Sequence, residues 1–402
     1  MDRREFIKRT GVGSAGLAAL AGSGCGSMRR MQLPGLGAEP WLEIDHRNLA
    51  WNLEQLRDRV AGRPVMAVIK ANAYGHGLVE TGRFLEKLGV SQLAVGKFRE
   101  AWELREGGVE IPILNFGLFT REEASEIVRR DISQTVYADD FALLSEAARR
   151  AGKQARVHIK VDTGLGRIGV PWHRALPLIE RIAATSGIAV EGIFTPFTED
   201  DAYDRTQLER LLELCAQARR KGISLGLRHA ASSAGVLSFP EAWLDMVRPG
   251  IAIYGQYPSV KEAKRRRIEL RPVMSVKTRV MYVKTLRPGE SLSYHRAFTA
   301  RERTRVATLA IGYSDGYPAN AAAKASALIA GRRWPSIGLV TSNHMTLDVT
   351  GSEDISTGDE AVLLGAQGEN EIGCEEIAAW AGTSVYKILI WMSPLLPRKI
   401  LG

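Results

Sequence analysis

Lys70 ends the apolar run "PVMAVI" and begins "KANAYGHG", a turn-rich stretch holding Asn72, Tyr74, Gly75, His76 and Gly77. An ammonium group at the tip of a buried, β-branched strand loses hydration, and desolvation lowers a lysine's pKa. A neutral amine in such a place suits Schiff-base chemistry with a carbonyl cofactor. Position alone leaves the plainer reading open, a surface lysine at a strand end. Lys160 and Arg167 stand seven residues apart in "KVDTGLGRIGV". A planar guanidinium there suits a bidentate carboxylate, while two partly buried cations side by side repel. Arg248 precedes Pro249 and Gly250 in "VRPGIAIYG", and Tyr294 sits in "GESLSYHRAF".

These residues need a frame. The runs "PVMAVIK", "QLAVG", "IPILNF", "SQTVY", "ARVHIKVD", "AVEGIF", "LGLRHA" and "WLDMVRPG" alternate with amphipathic helical stretches over residues 64–250. Leu208, Leu211, Leu212 and Cys215 show the helical spacing of three and four. Strict alternation implies a parallel sheet, and eight units predict a closed (β/α)8 TIM-type barrel of class α/β. Active sites of such barrels lie at the C-terminal ends of the strands, which is where Lys70 falls. Beyond Arg267 the texture changes to strand-like runs parted by Gly, Asp and Pro, as in "PVMSVKTRVMYVKTL" and "AVLLGAQG". The expected organisation is an export signal over 1–30, a linker over 31–41, a cofactor-binding barrel over 42–265 and a mostly-β domain over 266–402.

"VIKANAYGHG" closely resembles the attachment site for pyridoxal 5'-phosphate (PLP) in the alanine racemase family of fold-type III enzymes. "KVDTGLGRIGV", "HAASSA", "VRPGIAIYG", "GESLSYHRAF" and "IGYSDGYP" resemble further family motifs in family order, from Leu42 to the C-terminus. The resemblance implies a PLP-dependent amino-acid racemase with alanine as the default substrate. It implies that Lys70 attaches the cofactor and serves as the base on one face of the substrate. Racemisation needs a second acid/base group on the other face, and Tyr294 matches it. Arg248 matches the arginine facing the pyridine nitrogen, with His229 beside it. Tyr74, Ser233, Gly250, Ile251 and Tyr386 match contacts to the cofactor's phosphate. Arg167 matches the arginine for the substrate carboxylate. Lys160 matches a lysine that the family carbamylates, which turns it into an anion beside that arginine. The family forms homodimers whose active sites are shared between chains. No residue set with metal-ligand spacing is found.

Two places depart from the pattern. Pro196 in "GIFTPFTEDD" stands where the family carries a histidine between the catalytic tyrosine and the pyridine-facing arginine. Proline has no proton to share, and His295 or His344 is a candidate substitute. At "VTSNHMTLD", Ser342 and Asn343 replace the Met and Asp that line the family's substrate entrance. A broad-specificity periplasmic racemase and a catalytically weakened PLP-binding relative are therefore the alternatives. A PLP-dependent decarboxylase would carry a Gly-rich phosphate loop and a Cys/Asp pair, and neither is seen.

The formal charge is +9, but the first thirty residues hold six basic against two acidic residues. "KEAKRRR" (Lys261 to Arg267) is one dense basic run without aromatic interleaving, and it reads as a solvated linker, not a nucleic-acid contact. Paired Arg3 and Arg4, Phe6 and a short apolar stretch resemble a twin-arginine export signal, so a periplasmic location is expected. That stretch is too short to span a membrane. "GSGC" faintly resembles a lipoprotein box, making Cys25 a possible lipid anchor. Cys25, Cys215 and Cys374 form no even disulfide framework.

Overall fold

A computed structural model describes residues 39–402. The export signal, Cys25 and most of the linker lie outside the described residues.

Seven short strands lie side by side in parallel: Met66–Val68, Gln92–Val95, Ile113–Asn115, Ile132–Val136, Ala155–Asp162, Ile188–Phe194 and Leu227–His229. The first four are buried along their whole length, as parallel strands covered on both faces must be. The eighth expected strand, near "WLDMVRPG", is reduced to a bridge between Val65 and Val247. It still closes the ring, because Met66 N–H reaches Val247 O and Val68 N–H reaches Pro249 O, both at 2.9 Å. It stops there because Pro249 has no N–H to extend the ladder. Helices return the chain between strands, and their ends are written in the sequence. Thr120 and Glu123 form a reciprocal capping box on Arg121–Arg129, and Gly152 ends Phe141–Ala151 in the left-handed conformation.

The second domain is antiparallel. Six strands form a ring in the order Met274–Leu286, Thr304–Leu309, Met345–Asp348, Arg332–Ile337, Ser326–Ile329 and Glu360–Gln367, the last pairing back with the first. The thirteen residues of Met274–Leu286 shift register between Val280 and Tyr282, so one strand serves two neighbours. The strand Trp41–Asp45 stands at the expected start of the barrel, at residue 42. It pairs antiparallel with Met274–Lys277 and parallel with Arg398–Leu401, so it belongs to the C-terminal sheet. From Leu42 to Asp45 its burial alternates, which fits a sheet with one covered face, and the barrel has no open edge left for it. The basic run becomes the helix Val260–Arg265, where Lys261 pairs with Asp201 and Arg265 with Glu262. Cys215 and Cys374 are free thiols.

The two domains meet tightly at Gly255, whose φ is +81° and whose missing Cβ would collide with the Arg271 carbonyl. Asn52 is fully buried there and clamps both sides, donating to Ile253 O at 3.1 Å and Arg271 O at 2.8 Å. Gly255→Ala combines a disfavoured dihedral with a backbone clash, and should cost about 3 kcal/mol or more. The urea unfolding midpoint checks this; an unchanged midpoint would show that the junction yields.

Candidate active site

Lys70 stands one residue beyond the Met66–Val68 strand, after Ile69, and opens a turn of unusual hand. Ala71, Asn72, Ala73 and Tyr74 all have φ between 51° and 56°. A left-handed turn costs L-residues roughly 1–2 kcal/mol each, so its surroundings must hold it. Glu100 accepts the Asn72 N–H at 3.2 Å and the Gly96 N–H at 2.9 Å. The Asn72 side chain accepts the Leu78 N–H at 2.9 Å. Arg398 donates twice to Gly75 O, at 3.1 and 2.9 Å, and the bare Cα of Gly75 lets the Leu389 carbonyl approach. The turn thus aims Lys70 at the barrel mouth, and a strand from the far end of the chain locks it. Nothing in the sequence near Lys70 announces Glu100 or Arg398 as its supports.

The side chain of Lys70 opens onto the mouth, so water reaches it, yet protein surrounds most of it. That crowding lowers its pKa, with the Arg167 charge adding and Glu100 opposing. Lys160 is buried, and its pKa falls to about 8, from burial first and then from Arg167, Arg248 and Lys70. Arg248 is buried too and falls to about 9 for lack of solvation. Its guanidinium donates to His229 Nδ1 at 3.0 Å and to the carbonyls of Thr195 and Ala230 at 3.1 Å. Four cations therefore converge on one mouth, and no carboxylate forms an ion pair with any of them among the described residues. Such a place invites anions.

A cradle lies beside them. The Ser233 hydroxyl accepts the N–H groups of Gly250 at 2.9 Å and Ala252 at 3.2 Å. The N–H of Ile251 between them takes no partner among the described residues. A Cβ on Gly250 would sit 2.7 Å from the Tyr74 hydroxyl, so glycine is needed for the approach. Tyr386 is half-buried, with its ring centroid 6.2 Å from that of Tyr74. Burial raises both phenol pKa values well above the ordinary range, so both hydroxyls stay protonated donors.

The structure brings together Lys70, Tyr74, Lys160, Arg167, His229, Ser233, Arg248, Gly250, Ile251 and Tyr386. Tyr294, Ser342 and Asn343 all lie on the β-domain. Tyr294 is 70% exposed, on a turn where Ser293, His295 and Arg296 all have positive φ. Asn343 donates to Ser314 Oγ at 2.9 Å, and Ser314 Oγ donates to Ser342 O at 2.6 Å. No hydrogen bond or ion pair joins these residues to Lys70 among the described residues.

The family described as "Alanine racemase, N-terminal domain" matches residues 44–258, and "Alanine racemase, C-terminal domain" matches residues 273–400. An alanine racemase of Desulforamulus reducens is 36% identical over 369 residues, covering 90% of this chain and 99% of that one. The chain belongs to the alanine racemase family. It is an amino-acid racemase. The alanine racemase of Clostridium difficile 630 superposes with a TM-score of 0.85 at 33% identity, covering 90% of this chain and 95% of that one. A histidine racemase from Leuconostoc mesenteroides subsp. sake superposes with a TM-score of 0.82 at 26% identity, covering 92% and 99%. The racemase fold therefore carries more than one substrate.

Within this racemase, Pro196 offers only its carbonyl, which accepts from Gln207 at 3.2 Å. His295 and His344 are exposed, and neither hydrogen-bonds Arg248. Arg248 keeps its histidine contact on the other side, through His229.

Proposed function

We propose that this racemase uses PLP to interconvert L- and D-alanine, with Lys70 and Tyr294 as its two acid/base groups. The observation that carries the reading is one mouth holding a lysine of lowered pKa, a buried arginine and the Ser233–Gly250–Ile251 cradle. The residues fit the cofactor. Lys70 is positioned to attach it, the free Ile251 N–H and the protonated Tyr74 and Tyr386 hydroxyls can donate to its phosphate, and Arg248 can meet its ring nitrogen. When bound, PLP supplies the electron sink that weakens the substrate's Cα–H bond.

The remaining work falls to the chain. Lys70 Nζ takes or returns a proton on one face, and its lowered pKa keeps more of it in the basic form near neutral pH. Tyr294 Oη does the same on the other face. Arg167 holds the substrate carboxylate through paired N–H donors. Arg248, at about 9, stays charged at neutral pH and keeps a fixed positive charge at the mouth. Alanine racemisation by the purified full-length chain, followed by chiral chromatography, tests the reading. Absence of D-alanine from L-alanine would remove it. Ser342, Asn343 and the histidine racemase of the same fold favour a second reading of broader range, so the same assay should include Ser, Lys, Arg and His.

A homodimer with shared sites is supported by the exposure of Tyr294 and by a separate set of exposed apolar groups on the same chain. Tyr313, Trp391 and Leu395 are 56, 46 and 91% exposed. Their backbones are joined, since Ser393 N–H donates to Asp315 O at 3.0 Å. A patch of this kind marks an association surface. Export by the twin-arginine route and lipidation at Cys25 rest on the sequence of the leader alone. Among the described residues no helix is long and apolar enough to cross a membrane.

Lys160 carries its own expectation. With its folded-state pKa near 8 and an unfolded value near 10.4, the unfolded chain binds more protons between those limits. Stability should therefore rise with pH from about 8 to about 10 if Lys160 is a free amine. A carbamate would place an anion among Arg167, Arg248 and Lys70, and would remove that penalty at lower pH. Unfolding temperature near pH 8 should be higher in bicarbonate than in carbon-dioxide-free buffer, and Lys160→Ala should abolish the difference. Equal temperatures in both buffers would argue for the plain amine.

A further inference from the structure

The interior of a (β/α)8 barrel is ordinarily filled by layers of branched apolar side chains. Two histidines occupy it here, His158 on the Ala155–Asp162 strand and His229 at the end of Leu227–His229, and both are fully enclosed. Their rings meet edge to face at 5.0 Å, and Phe194 stacks on His229 at 4.9 Å. The space is reserved, because a Cβ on Gly192 would lie 2.5 Å from His158 Nδ1. Buried polar rings are costly unless hydrogen-bonded, and an apolar pair would fill the volume at less cost.

The hydrogen bonds among these groups run in one direction. A guanidinium only donates, so His229 Nδ1 accepts from Arg248 and His229 carries its proton on Nε2. That N–H donates to His158 Nδ1 at 2.8 Å, which leaves the His158 proton on Nε2. Nε2 of His158 lies 3.9 Å from Glu191 Oε2, a charge–dipole contact. Glu191 is held in turn by the Ser133 hydroxyl at 2.6 Å and by Arg156 at 3.3 Å. Arg248 has no ion-pair partner of its own among the described residues. Among the described residues, a route to a carboxylate runs through the two imidazoles.

We propose that His158 and Glu191 are positioning residues for Arg248, completing a one-way chain Arg248→His229→His158→Glu191 through the barrel core. A carboxylate at the far end makes each imidazole a better acceptor, so the guanidinium is held charged and fixed in direction. Burial lowers the pKa of both imidazoles, His158 to about 3, in keeping with two neutral rings. The charged groups that bear on the pair are Arg248 and Glu191, with Arg156 behind the latter. Those that bear on the mouth are Lys70, Lys160, Arg167, Glu100 and Asp162. The chain itself is independent of any cofactor; its effect on the bound cofactor rests on the PLP reading above.

Nitrogen-15 NMR of the full-length protein labelled at its seven histidines reads the chain directly. His158 and His229 should both be neutral Nε2–H tautomers with no titration between pH 6 and 9. Titration of either ring in that range, or an Nδ1–H tautomer, would overturn the proposal. The second measurement adds PLP and follows the pH titration of its visible band in wild type, Glu191→Gln and Glu191→Asp. Removing the anion makes the mouth more positive, so the band's proton should leave at lower pH. The midpoint should fall by at least about 0.3 unit in Glu191→Gln, a twofold change in the protonation constant, and Glu191→Asp should recover part of it. Unfolding temperatures should stay within a few degrees. An unmoved midpoint in folded Glu191→Gln would also overturn the proposal. If no visible band forms on adding PLP, the cofactor reading fails, and the imidazole spectra still decide the chain.

Discussion

Lys70→Ala should leave a folded, colourless protein with racemase activity reduced by at least about 10⁴-fold. Two losses combine. The amine that attaches the cofactor disappears, so PLP binds only through its phosphate and ring contacts. The base on one face disappears as well, and acid/base groups of this kind are worth about 10²–10⁴-fold on their own. The fold should survive, because the Lys70 side chain makes no hydrogen bond or ion pair among the described residues and its neighbours Arg167 and Lys160 are cations. Removing one charge relieves them. The left-handed turn stays held by Glu100, Asn72 and Arg398. Visible absorbance after dialysis, the unfolding temperature and the chiral assay together check this. A Lys70→Ala protein that keeps a covalent chromophore would show that another lysine attaches the cofactor, and Lys160 would be the next to test.

Much of the architecture was legible because its signals are local. Short apolar runs alternating with helical spacing specify βα units, and Lys70 at the tip of the first unit falls at the catalytic end of a barrel without further information. What stayed hidden depends on non-local pairing. Trp41–Asp45 reads as the start of the barrel but lies beside Met274–Lys277 and Arg398–Leu401, more than two hundred residues away. The eighth strand carried an apolar run, yet Pro249 cut it to a bridge. The left-handed turn after Lys70 had one visible hint, Asn72 shortly before Gly75 and Gly77. Its chief support, Arg398, comes from the opposite end of the chain. The sequence does not mark out His158 and Glu191, because a histidine within an apolar strand reads as a core residue. Only the 2.8 Å contact to His229 shows a directed chain.

Tyr294 lies on the β-domain and Lys70 in the barrel, which raises the question of how the two meet. Tyr294 is 70% exposed, its hydroxyl makes no hydrogen bond among the described residues, and its turn is held in strained dihedrals. Strained, exposed residues of this kind persist where function requires them. If Tyr294 serves a partner chain, each active site joins one chain's Lys70 to the other's Tyr294. Lys70→Ala and Tyr294→Phe homodimers should then each be nearly inactive, since every site in either carries a lesion. In a mixed dimer one site carries both lesions. The other joins an intact Lys70 to an intact Tyr294. Co-expression with two different affinity tags isolates the mixed dimer, and its activity should recover to about half that of wild type, one working site of two. If Lys70 and Tyr294 instead met within one chain, each site of the mixed dimer would hold one lesion, and activity would stay at the level of the single variants. A mixed dimer shown by mass to contain both chains, yet no more active than its parents, would refute the shared site and return Tyr294 to its own barrel.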